Sequence, residues 1–308
     1  MIPEGIAVWT MAPILALCLA GTAMAETLRP TPVGWFTDNG DRQALQVLRD
    51  RPEADLTAVE RAILTAANRV GWIEIKGCNR GSNAILIRVG DRDAVVTSRH
   101  LIAGKWYTDI QCPADQMDTA VFYMNYSYQA PEYDREITKT TLHATAALDG
   151  DPLNFSAPGY FMTPANDWLV FYLTDSISDQ PMPEGTFGAG QPRGAMAFSK
   201  RRPTSGEIHV IGYDGRFGQE NGWQFSWQAC RQVQTALGLA DTLYIDCDVA
   251  PGASSSLLAT LENGELTFQG LVTGSSEPLA GTDVPVPKGA YLWNVGTSSA
   301  VIQRELWP

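Results

Sequence analysis

The chain has 308 residues, 44% of them hydrophobic and 18% charged, with a formal net charge of -12. That length and apolar fraction suit one large or two modest cores and exclude a disordered chain. The acidic balance, with no Lys/Arg-rich run, excludes an electrostatic grip on nucleic acid or an anionic lipid surface.

The stretch from Ile6 to Ala25 is apolar, is broken by Pro13 and closes on Ala23-Met24-Ala25, which reads as a signal peptide over residues 1–25 cleaved after Ala25. Glu4, with no Lys or Arg ahead of the apolar run, is atypical for such a leader and leaves Met11 open as the start. A membrane anchor is the competing reading, but the unbroken run after Pro13 is short for a bilayer. The expectation is export, periplasmic or extracellular, with no stable membrane insertion after signal cleavage. Cys18 would leave with the leader, and Cys78, Cys112, Cys230 and Cys247 would form two disulfides in an oxidising compartment. Local spacing favours Cys78 with Cys112 and Cys230 with Cys247. No CxxC or HxxxH spacing is present, so no metal is expected.

Residues 26–70 read as a helical N-terminal extension or a propeptide. Leu45, Val47, Leu48, Leu56, Val59, Ile63, Leu64 and Ala67 recur at three- and four-residue intervals, with Asp55 or Thr57 available as a cap. After Val70 the texture changes to short β-branched and aromatic runs between turn residues, as in Trp72 to Ile75, Ala84 to Val89 and Asp93 to Thr97. The pattern resumes at Asp167 to Leu173, Glu207 to Tyr213, Leu243 to Asp246, Ser256 to Leu261, Leu266 to Val272 and Ala290 to Asn294. Such spacing predicts an all-β chain, barrel or sandwich, with no repeat of fixed period. The polar, aromatic segment from Gln116 to Ala165 reads as a surface insertion, and Gly185 to Pro203 as the linker between residues 71–184 and residues 185–308. Val301, Ile302 and Leu306 fit one face of a short closing helix within Thr297 to Leu306.

Three side chains carry candidate chemistry. His100 directly follows the apolar strand ending Val95-Val96-Thr97, where a rigidly held, solvent-facing imidazole can serve as a general base. Asp167 opens the strand Trp168-Leu169-Val170-Phe171, where a half-buried carboxylate can orient that imidazole. Pro251-Gly252-Ala253-Ser254 is a tight turn that delivers a serine just ahead of a strand. Its Gly252 and Ser254 N–H groups suit an oxyanion hole for attack by Ser254 Oγ. Gly-x-Ser spacing is the reason for preferring Ser254 over Ser255 or Ser256. The order His, Asp, Ser is that of the chymotrypsin arrangement and differs from the subtilisin and α/β-hydrolase orders.

Val96-Thr97-Ser98-Arg99-His100 resembles the Leu-Thr-Ala-Ala-His motif of trypsin-like serine peptidases. Asn166-Asp167-Trp168-Leu169-Val170 resembles their Asp-Ile-Ala-Leu strand, and Pro251 to Ser256 their Gly-x-Ser-Gly turn. Val210-Ile211-Gly212-Tyr213 and Gly270 to Gly274 are similar to second-barrel strands of the bacterial branch related to the V8 glutamyl endopeptidases. The resemblance implies an all-β chymotrypsin-like fold of two perpendicular six-stranded antiparallel β-barrels, with a helical N-terminal extension, a short C-terminal helix and the site in the cleft. It implies no cofactor, a protein or peptide substrate, and an exported serine endopeptidase using a His100-Asp167-Ser254 triad. Asp248, six residues before Ser254, stands where trypsin sets its Arg/Lys preference and suggests cleavage after basic residues, although packing beside the Cys230–Cys247 bridge explains it slightly better. Val272, with Thr273 and Gly274, stands at the primary pocket where glutamate-specific relatives carry a His, so a glutamate preference is not expected. Three departures stand out. Ser255 replaces the glycine after the nucleophile, Leu257 replaces a common proline, and Ala253 replaces the Asp that pairs with a freed N-terminus in trypsin-type zymogens. Loss of that switch leaves removal of the segment before Val70 as an open maturation route. Ser255 also sustains an alternative, a catalytically weak or inactive serine-protease homologue that binds proteins through the cleft and the 116–165 segment. A β-sandwich adhesion domain, the remaining reading, requires that His100, Asp167 and Ser254 do not converge.

Overall fold

The computed structural model describes residues 42–102, 112–113, 116, 119–124, 138–144, 165, 167–200, 206–214, 224–233, 241–249, 252–275 and 294–307. The expected signal peptide lies outside them. The described chain opens with a two-residue strand, β1 (Gln43–Ala44), a single helical turn, α1 (Gln46–Arg49), and a longer helix, α2 (Ala58–Ala67). Thr57 caps α2 in a reciprocal box: its hydroxyl accepts from Glu60 N at 3.2 Å, and Thr57 N donates to Glu60 Oε2 at 2.7 Å.

Six strands then close a barrel in the order β2-β3-β4-β7-β6-β5. They are β2 (Val70–Ile75), β3 (Arg80–Val89), β4 (Arg92–Thr97), β5 (Ala120–Met124), β6 (Thr138–Ala144) and β7 (Leu169–Leu173). The 116–165 segment, read as a surface insertion, in fact supplies two of the barrel's strands. Ala120 to Met124 is buried at every position, so it lacks the polar alternation that marks a half-exposed strand.

The second half contributes β8 (Gly206–Asp214), β9 (Gln224–Val233), β10 (Thr242–Ile245), β11 (Leu257–Glu262), β12 (Glu265–Ser275), β13 (Asn294–Ser298) and a closing helix, α3 (Ser299–Leu306). These strands join β1 in a seven-stranded sheet of order β1-β9-β10-β13-β12-β11-β8. Because β8 also pairs with β9, the six strands other than β1 form a ring of pairings. β1 extends it by pairing with Ser226 and Trp227 of β9. Of the strand expected at Ala290 to Asn294, only Asn294 is a described residue, and β13 runs on from it to Ser298. The closing helix therefore starts at Ser299 rather than Thr297, with the Ser298 hydroxyl accepting from Ala300 N.

Leu86, Val95, Phe122 and Phe171 fill the first barrel, and Val210, Ile245, Leu258 and Val272 the second. The opposite faces of the same strands meet in a third cluster. There Ile85, Ile87, Val96 and Val170 pack with Ile211, Leu257, Phe268 and Leu271, and with Leu45, Leu48, Ile63 and Leu64 from the segment before β2. Strands buried on both faces explain the unbroken apolar run Ala84-Ile85-Leu86-Ile87. The linker pairs with both halves: Met196 N donates to Leu86 O, and Ser199 N and Phe268 N exchange bonds with Phe268 O and Ala197 O. Cys78 pairs with Cys112 and Cys230 with Cys247, their Cα atoms 5.5 and 5.1 Å apart. Among the described residues, no helix is long and apolar enough to cross a membrane.

Candidate active site

Antiparallel pairing of β4 with β7 sets Thr97 opposite Leu169. The residues just after β4 and just before β7 are therefore neighbours. His100 lies in the single 3-10 turn Arg99–Leu101 that follows β4, a turn anchored by buried Leu101 and Ile102. Asp167, almost wholly buried, uses both carboxylate oxygens on that turn: Oδ1 accepts from His100 N at 2.9 Å, and Oδ2 lies 2.7 Å from His100 Nδ1. The backbone carbonyl of Asp167 accepts from Thr297 Oγ1 at 3.2 Å, which ties this corner to β13 of the second half. Burial pulls the His100 pKa down, but the charge and hydrogen bond of Asp167 more than offset it, so the imidazole titrates above its ordinary range. With Nδ1–H on the carboxylate, the neutral ring presents Nε2 as a base. Its side chain is 21% exposed.

The candidate nucleophile sits in the turn before β11. Gly252 adopts φ +94°, a backbone conformation that glycine accepts at no steric cost. Ser255 N donates to Val272 O at 2.7 Å and Ser256 N to Ala253 O at 2.9 Å. Among the described residues, the Gly252 and Ser254 N–H groups are given to no backbone carbonyl, which suits them to a developing oxyanion. Ser255 and Ser256 are fully buried, whereas Ser254 is partly exposed. Exposure therefore points to the same serine as Gly-x-Ser spacing.

Ser255 explains how the turn survives without its glycine. Its backbone is left-handed, φ +62°, a region that costs an L-residue about 1–2 kcal/mol. Its hydroxyl, however, donates to Ser98 Oγ at 2.8 Å, accepts from Ser98 N at 2.7 Å and Thr97 Oγ1 at 3.0 Å, and lies 2.9 Å from Ser82 Oγ. Every partner belongs to the first barrel or to the residue that follows β4. His100 and Asp167 are thus joined directly, and Ser254 is brought to the same strand end through its neighbour Ser255 and Ser98, two residues before His100.

Among the pocket candidates, Asp248 is buried. Its N donates to Gln228 Oε1 at 2.9 Å, and its Oδ2 accepts from Gln228 Nε2 at 3.3 Å. Val272 lies in the apolar cluster with Val249 and Ala253. Thr273 Oγ1 donates to Val295 O at 3.1 Å at an irregularity in the β12–β13 register, next to Gly274. Among the described residues, no group of three or more His, Cys, Asp and Glu is placed to hold a metal ion.

No family model and no curated protein sequence matches the chain. Solved structures do. A Glu endopeptidase superposes with a TM-score of 0.50 at 11% identity, over 85% of this chain and 94% of that one. The chain has the chymotrypsin fold. A thermostable serine protease from an extremophilic microorganism gives a TM-score of 0.49 at 14% identity, over 79% of this chain and 96% of that one.

Three residues of this chymotrypsin-fold chain escaped the sequence reading. Asn83 of β3, fully buried, donates through Nδ2 to Gly252 O at 3.0 Å, Ser254 O at 2.9 Å and Tyr213 O at 3.1 Å, while its Oδ1 accepts from Tyr213 N at 2.6 Å. One amide therefore holds both ends of the nucleophile turn from the opposite barrel. Gln228 and Arg42 bind Asp248. The signal for Asn83 was a polar residue adjoining the apolar run Ala84 to Ile87, whereas nothing local marked Gln228 or Arg42.

Proposed function

We propose that the protein is an exported serine endopeptidase, with Ser254 as nucleophile, His100 as general base and acid, and Asp167 as the group that fixes the imidazole. The observation that carries this reading is the two-point grip of Asp167 on His100, at 2.9 and 2.7 Å, beside a turn whose Gly252 and Ser254 N–H groups are, among the described residues, given to no backbone carbonyl. Ser254 Oγ attacks the carbonyl carbon of the scissile bond and passes its proton to His100 Nε2. The oxyanion is held by the Gly252 and Ser254 N–H groups. His100 then returns the proton to the leaving amine, and water, activated by the same Nε2, hydrolyses the acyl-enzyme. The two disulfides support residence in an oxidising compartment. The sequence position of Asp248, six residues before Ser254, is the ground for proposing cleavage after Arg or Lys, and unchanged hydrolysis of Arg substrates by Asp248→Ala would refute that preference.

A fluorophosphonate probe followed by peptide mapping tests the reaction. Labelling at Ser254, abolished in Ser254→Ala, is the expected result. Folded protein that stays unlabelled across the pH range moves the assignment to a non-catalytic binding homologue. Ser255 first favoured that second reading, but it takes the left-handed backbone, φ +62°, that a glycine accepts readily, and its hydroxyl is hydrogen-bonded there, which supports the enzyme.

A further inference from the structure

Arg42 is a buried cation that the catalytic reading leaves unused. Its side chain is 2% exposed and reaches three groups of the second half. Nε donates to Ser226 Oγ at 2.7 Å, Nη1 donates to Asp248 O at 2.6 Å, and the same Nη1 lies 2.7 Å from Asp214 Oδ2. A guanidinium does not lose its proton in a protein, so this charge requires the Asp214 carboxylate beside it. Its planar fork allows one group to bridge a carboxylate, a hydroxyl and a carbonyl, which a lysine ammonium cannot do in the same geometry. The carbonyl it holds belongs to Asp248, six residues before Ser254, on the stretch between β10 and the nucleophile turn. Gln228 holds the N–H and the carboxylate of that residue, so two buried side chains fix Asp248 from both sides of its backbone.

The segment that carries Arg42 is built into the body. Gln43 and Ala44 pair with β9, Leu45 N donates to Phe225 O at 2.9 Å, and Leu45, Leu48, Leu56, Ala62, Ile63 and Leu64 belong to the core shared by both barrels. Removing it would expose that core and leave Asp214 buried without its cation.

We propose that Arg42 is a positioning residue for the primary pocket, setting Asp248 through its backbone carbonyl, and that residues 42 to 69 remain part of the active enzyme. The proposal rests on the serine-peptidase reading. The chain is thereby assembled for catalysis from within, by an internal arginine that needs no newly freed terminus.

Two measurements test this. In the first, exported protein is labelled with the fluorophosphonate and the N-terminus of the labelled species is read by mass spectrometry. Labelled chains are expected to begin at or before Arg42, and labelled chains beginning after Arg42 overturn the proposal. In the second, Arg42→Lys and the paired variant Arg42→Met/Asp214→Leu, which removes both buried charges together, are assayed on Arg-terminated peptide esters. KM is expected to rise at least tenfold, while labelling of Ser254 by a small alkyl fluorophosphonate that does not fill the primary pocket stays within about threefold. A folded variant with KM within twofold of the parent overturns the positioning role, as does a parallel fall in labelling and hydrolysis. Absence of labelling in the unaltered protein removes the peptidase reading itself, an outcome distinct from either of these.

Discussion

Replacing Ser255 by glycine restores the residue usual in trypsin-like peptidases, yet here it is expected to destabilise the protein. Relief of the left-handed backbone is worth about 1–2 kcal/mol, of which the extra freedom of glycine in the unfolded chain cancels about 0.4–1. Against this, the hydroxyl is fully buried, and its loss leaves Ser98 N–H without its 2.7 Å acceptor. An abandoned buried donor costs about 1–3 kcal/mol, and the lost bonds to Ser98 Oγ and Thr97 Oγ1 about 1 kcal/mol each. The net expectation for Ser255→Gly is a loss of about 2–4 kcal/mol. Ser255→Ala keeps the strain as well as losing the bonds, so it falls about a further 1 kcal/mol. Urea unfolding with the disulfides intact, run beside the rate of fluorophosphonate labelling, checks both, with labelling slowed about tenfold in each variant. Ser255→Gly that equals or exceeds the parent in stability and labelling would refute the compensation argument.

With neutral His100 as the proposed base, the pH profile of kcat/KM is expected to rise with pH through a midpoint above the ordinary histidine value of about 6.5, because Asp167 raises its pKa. Asp167→Asn should lower that midpoint and reduce kcat by about 10⁴-fold, as loss of the orienting carboxylate does in serine peptidases. The same raised value gives the folded state a stabilising contribution fully present below the unfolded pKa and lost as pH rises through the folded one, so chemical denaturation of the parent should respond to pH in that window more than Asp167→Asn does. Asn83→Ala should cost about 2–4 kcal/mol in denaturant unfolding, since the amide satisfies two buried backbone groups of Tyr213 and two part-buried carbonyls of the turn, and should slow labelling of Ser254 even where the variant folds. Replacing Cys230 and Cys247 together by Ser opens a loop of sequence separation 17 and should lower stability by about 3 kcal/mol, seen as a lower urea midpoint.

The places of His100, Asp167 and Ser254 at strand boundaries were legible because a polar group next to an apolar run is visible in one dimension; their proposed roles await the labelling experiment. Both cysteine pairings were readable for a similar reason, since each partner lies in the same half of the chain. β5 was not, because full burial removes the alternation that marks a strand, and the polar residues around it read as surface. Asn83 and Arg42 were harder still. Asn83 lies 130 positions from Tyr213 and Arg42 lies 206 from Asp248, so no window of sequence contains both members of either pair. Ser255 was noticed as a departure, but its meaning lay in Ser82, Thr97 and Ser98, residues that only the folded chain sets against it.

The cluster shared by the two barrels and the N-terminal helix also governs how the molecule comes apart. Ile85 and Val96 of one barrel, Leu257 and Phe268 of the other, and Ile63 of the helix have each other as their shelter from water. Neither half retains that shelter once the other opens, so the halves are not separable folding units, and melting of the intact chain should be a single cooperative event with equal calorimetric and van't Hoff enthalpies. Expressed apart, each half would present a broad apolar face and aggregate.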